Sequence, residues 1–226
     1  MDTESPLAER LAAVDERIAD AARAAGRQPA ELTRIVVTKF HPASLVRELA
    51  ALGVRDVGEN RHQEAQAKAA ETADLDLRWH FVGQLQSNKA KAVRRYAHAI
   101  HSLDRGSLID ALSASEGTVD GFLEIDLSGE PGRGGADPAD AERLAERVLS
   151  TPGLRLVGVM AVAPLGAEPR AAFSRLREVS ERVRAIAPDA DRISAGMSGD
   201  FADAILEGAT HLRIGTAITG KRPIRG

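Results

Sequence analysis

The sequence predicts an α/β fold in which eight parallel strands close into a (β/α)8 TIM barrel, with one extra helix in front. Three observations carry this. Short β-branched runs alternate with alanine-rich helical stretches, the pattern of parallel βα units. The units number eight, and no linker, low-complexity run or internal repeat interrupts them. The length of 226 residues also suits a barrel, for which ~250 residues is typical and ~200 is the lower bound. A doubly wound open sheet shares the local pattern, but open parallel sheets of eight strands are less usual at this length. A single domain over residues 1–226 is therefore expected.

Each element has its own local reason. Leu7, Leu11, Val14, Ile18 and Ala22 recur at helical spacing among Glu, Arg and Asp, so an amphipathic helix precedes the first strand. "RIVVTK" (Arg34 to Lys39) is the first strand, and its helix runs from Pro42, in the opening turn, to Leu52, with Gly53 just past the end. "VRDVGE" (Val54 to Glu59) precedes a helix over 60–72, and "LRWHFVG" (Leu77 to Gly83) one over 87–95. "AHAIHSL" (Ala97 to Leu103) precedes a helix over 104–116. "GFLEIDL" (Gly121 to Leu127) is followed by the glycine-rich "SGEPGRGGADP" and a helix over 139–150. "LRLVGVMA" (Leu154 to Ala161) leads to a long helix over 169–186, and "DRISAG" (Asp191 to Gly196) to one over 200–207. "HLRIGT" (His211 to Thr216) closes the series.

Composition bounds the function. A net charge of -3 gives no broad pull toward nucleic acid. Cysteine is absent, which excludes disulfides and thiolate metal sites. The N-terminus "MDTESPLAER" has no apolar run behind a basic start, and no segment reaches 18 uninterrupted apolar residues. A cytoplasmic protein without a membrane partner is expected.

In a parallel barrel, functional groups collect at the C-terminal ends of the strands, often with a phosphate site after strands seven and eight. Period-two alternation puts Ile35, Val37 and Lys39 on one face, so a lysine ends a strand that reads as buried. Burying an unpaired ammonium costs several kcal/mol or moves its pKa, so Lys39 is either solvated or a chemical tool. Arg213 and Gly215 share a face of the last strand, and a core-side arginine there needs an acceptor. "SAGMSGD" (Ser194 to Asp200) and "RIGTA" (Arg213 to Ala217) offer hydroxyls, small residues and backbone N–H groups, which suits a phosphate. An amine and a phosphate cradle at one barrel end suggest a phosphorylated aldehyde or ketone held as a Schiff base. A sugar phosphate and pyridoxal phosphate both satisfy this.

"RIVVTK", "GEN" (Gly58 to Asn60), "WHFVGQLQSNK" (Trp79 to Lys89), "GVMA" (Gly158 to Ala161) and "GMSGDFADAILEGATHLRIGTAITG" (Gly196 to Gly220) together resemble the pyridoxal phosphate homeostasis proteins. The resemblance spans about Leu7 to Gly220 and keeps the motifs in family order. It implies a relative of the alanine racemase barrel that binds pyridoxal 5′-phosphate and serves vitamin B6 and amino-acid homeostasis as a carrier or buffer. It further implies Lys39 as the Schiff-base lysine, Asn60 beside the cofactor and Arg213 at the pyridine nitrogen. Ser194, Met197, Ser198, Gly215 and Thr216 would form the phosphate cradle. Recipient apoenzymes and a monomeric state are expected with it, and no metal. The sequence departs from the family at Arg61, where tyrosine is common, at Thr219, where phenylalanine is, and at Phe40-His41-Pro42, where Thr-x-Pro is. Arg133 replaces a common lysine.

The alternative is a racemase-like enzyme of low activity. The barrel racemases use a tyrosine from a second domain, and the sole tyrosine here, Tyr96, ends the third helix of the series. A Schiff-base aldolase would need a proton shuttle near Lys39, for which Glu59 is the obvious candidate. "GTAITGKR" imitates a phosphate-binding loop but has Arg222 where Ser or Thr is required. His98 and His101, three apart on a strand, should face opposite ways, and His80 reads as a hydrogen-bonded core histidine.

Overall fold

The computed structural model describes residues 7–130 and 134–221; Arg133 and Arg222 lie outside them. Eight parallel strands close on themselves in the order β1 to β8, each paired with its sequence neighbour and β8 with β1. They are β1 (Thr33–Val37), β2 (Asp56–Glu59), β3 (Arg78–Phe81), β4 (Ala97–Leu103), β5 (Val119–Glu124), β6 (Leu154–Met160), β7 (Arg192–Ser194) and β8 (His211–Ile214). The expected barrel is present, and closure leaves no strand edge unpaired.

Around it lie α1 (Leu7–Ala24), α2 (Ala43–Ala51), α3 (His62–Glu71), α4 (Ala90–Arg94), α5 (Gly106–Ala111), α6 (Ala141–Leu149), α7 (Pro169–Ile186), α8 (Phe201–Leu206) and α9 (Thr216–Thr219). The helix predicted over 104–116 is cut to six residues. The "SASEG" stretch after it favours turns over helix. The short α9 was not anticipated, because a four-residue turn carries no periodic signal. No helix among the described residues is long and apolar enough to cross a membrane.

Two apolar layers result from the alternation within strands. Outward-facing Val36, Val57, Ile100, Leu123 and Val159 join the inner faces of the helices in one large core. Inside the barrel the apolar contribution is small: Ala99, Phe122, Val157 and Met160 form a separate cluster. Ile35 and Val37 of β1 add to that contribution, and beside them lies a buried polar set of His80, His101, Ser194, His211 and Arg213. Branched apolar side chains usually dominate this space, so a polar lumen calls for hydrogen-bond partners.

The first helix has a positional role. Its Leu11, Val14, Ile18 and Ala22 are buried, and Arg10 Nε donates to the Ile218 carbonyl at 2.8 Å. The Arg17 guanidinium lies 5.0 Å from the Phe201 ring centroid. In this way α1 braces α8 and α9, the two helices that follow the candidate cradle.

Candidate functional site

Lys39 stands just beyond the end of β1. The strand stops at Val37, Thr38 is fully buried, and Lys39 begins a turn and is exposed. The desolvation penalty raised by the sequence is thus avoided by chain geometry. Phe40 completes the turn with a φ of 71°, a left-handed conformation that non-glycine residues seldom adopt. Its ring lies 5.3 Å from the Arg61 guanidinium and its N–H donates to Glu64 Oε2 at 3.1 Å. Two of the departures from the family pattern, Phe40 and Arg61, therefore touch each other.

The residue before the lysine is held from two sides. Thr38 Oγ1 donates to Glu59 Oε1 at 2.7 Å, and Lys68 Nζ donates to the Thr38 carbonyl at 2.9 Å. Lys68 and Glu59 in turn form a buried ion pair. Burial pushes the Glu59 carboxyl upward in pKa, against the opposing pull of Lys68 and Thr38. With one oxygen bound to Thr38 and Lys68, this carboxylate anchors the turn; the aldolase reading had made it a proton shuttle. A lysine among alanines in "QAKAA" (Gln66 to Ala70) is the one local hint that α3 buries a charge.

Arg213 faces the lumen and has found its acceptors. Nη1 donates to Ser194 Oγ at 2.7 Å and Nη2 to the Ala161 carbonyl at 2.8 Å. Burial lowers its pKa to about 10, partly opposed by Glu124 and Asp200, so it stays cationic at neutral pH. Glu124, unremarked in the sequence, has its pKa raised to about 7 by burial first and by Asp104 next, with Arg213 opposing. Its Oε2 is buried without a partner among the described residues. A lone acid inside "GFLEI" was the available signal.

The register brings the two ends of the barrel seam together. Ile35 lies opposite Arg213 and Val36 opposite Ile214. Gly215 follows with a φ of -107°, and a Cβ there would meet only Val37, at 3.8 Å. Crowding does not require glycine at this position; its effect is to leave open space over Val37, two residues before Lys39. Thr216 is exposed and opens α9, whose first N–H groups have no carbonyl of their own helix to reach.

The other expected residues divide. Ser198 is half-buried and Met197 exposed on the β7 to α8 loop, where the Met197 N–H donates to Asp200 Oδ1 at 2.6 Å. Ser194, expected in the cradle, lies in the lumen, and its hydroxyl is taken up by Arg213 and by His101 Nδ1 at 2.9 Å. Asn60 sits at the end of β2, lining a cavity of ≈ 500 Å³ with Arg61, His62, Phe81 and Lys89. Gly83 permits this placement, since a Cβ would fall 2.1 Å from the Asn60 carbonyl oxygen. Gly83→Ala is accordingly expected to destabilise the fold by about 1–3 kcal/mol; thermal melts would show it.

The histidines depart from the expected alternation. The pairing of β3 with β4 shifts between Trp79 and His80, which pair with Ala97 and Ala99. The extra residue is His98, and a bulge of this kind re-aims side chains. As a result both His98 and His101 approach His80, with ring centroids 5.8 and 5.2 Å away. His80 is hydrogen-bonded in the core, as expected. Despite this clustering, no group of three or more His, Asp or Glu among the described residues is placed to hold a metal ion.

The donor set fits a phosphorylated pyridine aldehyde. It comprises an exposed amine, a buried cation with two of its five N–H donors engaged among the described residues, and glycine-opened space beside a helix start. A closed parallel barrel so equipped at one end falls in the class of the alanine racemase N-terminal domain, whose family model matches residues 10–223. The alanine racemase of Corynebacterium glutamicum shares the fold at a TM-score of 0.70 and 16% identity, over 96% of this chain and 62% of that one. Among curated proteins, the pyridoxal phosphate homeostasis protein of Pseudomonas aeruginosa is 44% identical over 96% of both chains. That of Escherichia coli is 36% identical over 96% of this chain and 97% of its own. The structure of PipY from Synechococcus elongatus, solved with pyridoxal phosphate bound, has a TM-score of 0.83 at 35% identity, covering 95% of this chain and all of that one. The chain belongs to the pyridoxal phosphate homeostasis protein family.

Proposed function

We propose that this protein binds pyridoxal 5′-phosphate as a Schiff base on Lys39 and acts, as a single barrel domain, as a carrier or buffer of the cofactor. The observation that supports this best is the β1–β8 seam. It runs Ile35 beside Arg213 and Val37 beside Gly215, and Lys39 leaves the strand where that space opens. The bound group would supply an aldehyde to the amine and a conjugated ring able to draw electrons from a joined amino acid.

The protein's own residues limit that chemistry. Arg213, charged at neutral pH, would face the ring nitrogen as a fixed cation and disfavour its protonation, which weakens the ring as an electron sink. Gly215, Thr216 and Ser198 would hold the phosphate through backbone N–H and hydroxyl donors, with Met197, whose own N–H is taken by Asp200, beside them. Asn60 would border the ring. Tyr96, the only tyrosine, is engaged on the outside of the barrel, its hydroxyl 3.3 Å from His62 Nδ1. It offers no second acid–base group opposite Lys39, which supports a carrier over an efficient racemase.

The test is borohydride reduction followed by peptide mass mapping. Wild-type protein mixed with pyridoxal phosphate should be yellow and carry one pyridoxyl group, on Lys39. Lys39→Ala should lose both colour and adduct. An adduct on another lysine, or none, sinks the reading. Transfer from the loaded protein to an apoenzyme then separates a carrier from a protein that only binds.

A further inference from the structure

Arg213 is the first member of a hydrogen-bonded chain that runs down the barrel lumen. Ser194 Oγ meets Arg213 Nη1 at 2.7 Å and His101 Nδ1 at 2.9 Å. His101 Nε2 meets His80 Nδ1 at 3.0 Å, and His80 Nε2 meets Asp56 Oδ1 at 2.9 Å. Asp56 is salt-bridged to Arg78 at the far end. There it lines a cavity of ≈ 550 Å³ with His98, Asp120, Arg192 and His211, at the N-terminal ends of the strands. The chain thus joins the two ends of the barrel.

The two termini settle the direction of every bond between them. Ionised Asp56 only accepts, so a neutral His80 ring carries its one proton on Nε2 and accepts at Nδ1. His101 must then donate from Nε2 and accept at Nδ1. Its acceptor nitrogen takes the Ser194 proton, which aims a lone pair of the serine at Arg213. A hydroxyl that could otherwise rotate becomes a fixed acceptor for the guanidinium.

We propose that His101, His80 and Asp56 are positioning residues for Arg213, forming a one-directional relay that sets the guanidinium's orientation and through it the pyridoxal phosphate ring. This rests on the reading of Lys39 and Arg213 given above. The protonation states agree with it. Burial above all holds His101 well below the usual histidine range. Burial pushes the Asp56 carboxyl up, yet the bonds from His80 and Arg78 outweigh it and leave its pKa below the ordinary value. Hydrogen bonds in such a dry chain polarise one another, so a change at Asp56 is felt at Arg213.

The test uses the full chain with and without pyridoxal phosphate. In the ligand-free wild type, nitrogen-15 shifts should show His80 and His101 both protonated on Nε2 and bare on Nδ1. Asp56→Asn, whose amide can offer either oxygen or N–H to His80, removes the charge that fixes the direction. His101→Phe breaks the chain while keeping a ring against Phe122, whose centroid lies 4.2 Å from that of His101. Each variant should weaken pyridoxal phosphate binding about tenfold, the cost of freeing one buried partner, and displace the absorption band of the bound cofactor. An Nδ1-protonated tautomer on either histidine overturns the relay even if the variants fold poorly. So does an unchanged band and affinity in both variants. A wild type that traps nothing on Lys39 overturns the functional reading instead, and with it the relay's service to the cofactor, and the borohydride experiment identifies that failure separately.

Discussion

Lys68→Ala is expected to lower stability by about 3–5 kcal/mol, because it strands the buried Glu59 carboxylate without its cation. For a chain of this size that corresponds to a fall of roughly 10 °C in Tm. The same substitution removes the bond to the Thr38 carbonyl, so the turn bearing Lys39 should loosen. Lys68→Met, with similar volume, should recover little, since the loss is electrostatic. A paired variant, Lys68→Met with Glu59→Gln, removes both charges and should recover most of the stability. Chemical denaturation of the three variants measures this directly. If Lys68→Ala costs less than about 1 kcal/mol, the pair is no anchor.

The second large effect is on the acid side of the pH–stability profile. His101 is held well below the usual histidine range by burial, and burial takes His211 down to about 3. Both fold as neutral rings and are free to take protons once unfolded. Their contribution is present above the unfolded histidine pKa of about 6.5 and is lost as the pH falls below it. Each proton taken up on unfolding steepens the loss by up to about 1.4 kcal/mol per pH unit. Two such groups cost several kcal/mol by about pH 4.5. Glu124 acts in the opposite sense. With its pKa raised to about 7, its contribution is present below the ordinary glutamate value and is lost as the pH rises through about 7. The two windows overlap between the ordinary glutamate value and about pH 6.5, where two histidines outweigh one glutamate. Stability should therefore rise with pH to a maximum at about 6.5 and slip only slightly as Glu124 finishes ionising at about 7. Glu124→Gln should steepen the acid limb, which Glu124 opposes, and remove the slight drop at about pH 7. Calorimetry from pH 4.5 to 9 reads both; a profile flat below pH 6.5 would mean that the buried rings are not neutral.

The polar lumen explains why these effects are large for a barrel. Apolar layers would tolerate a missing methyl group at modest cost. A closed chain of donors and acceptors leaves a desolvated atom whenever one member is removed. The same economy ties stability to the site, since Arg213, Ser194 and Glu124 belong to both.

Much of this was legible in the residues alone. β-branched runs and helical periods are local signals, so eight strands, the leading helix and the identity of the strand-end residues Lys39, Asn60 and Arg213 followed from the sequence. Boundaries were less secure where turn-forming residues shortened a helix, as after Ala111, or where a single turn such as α9 had no period to read. What the tertiary structure alone decided are the partnerships across distance. His101 and Ser194 are 93 positions apart, Lys68 and Thr38 are 30 apart, and no pattern in either neighbourhood announces the other. A bulge at His98 leaves no local trace, yet it turns a ring that alternation had assigned to the opposite face. Local sequence dictates which way each strand presents its side chains; closure of the barrel dictates which of them meet.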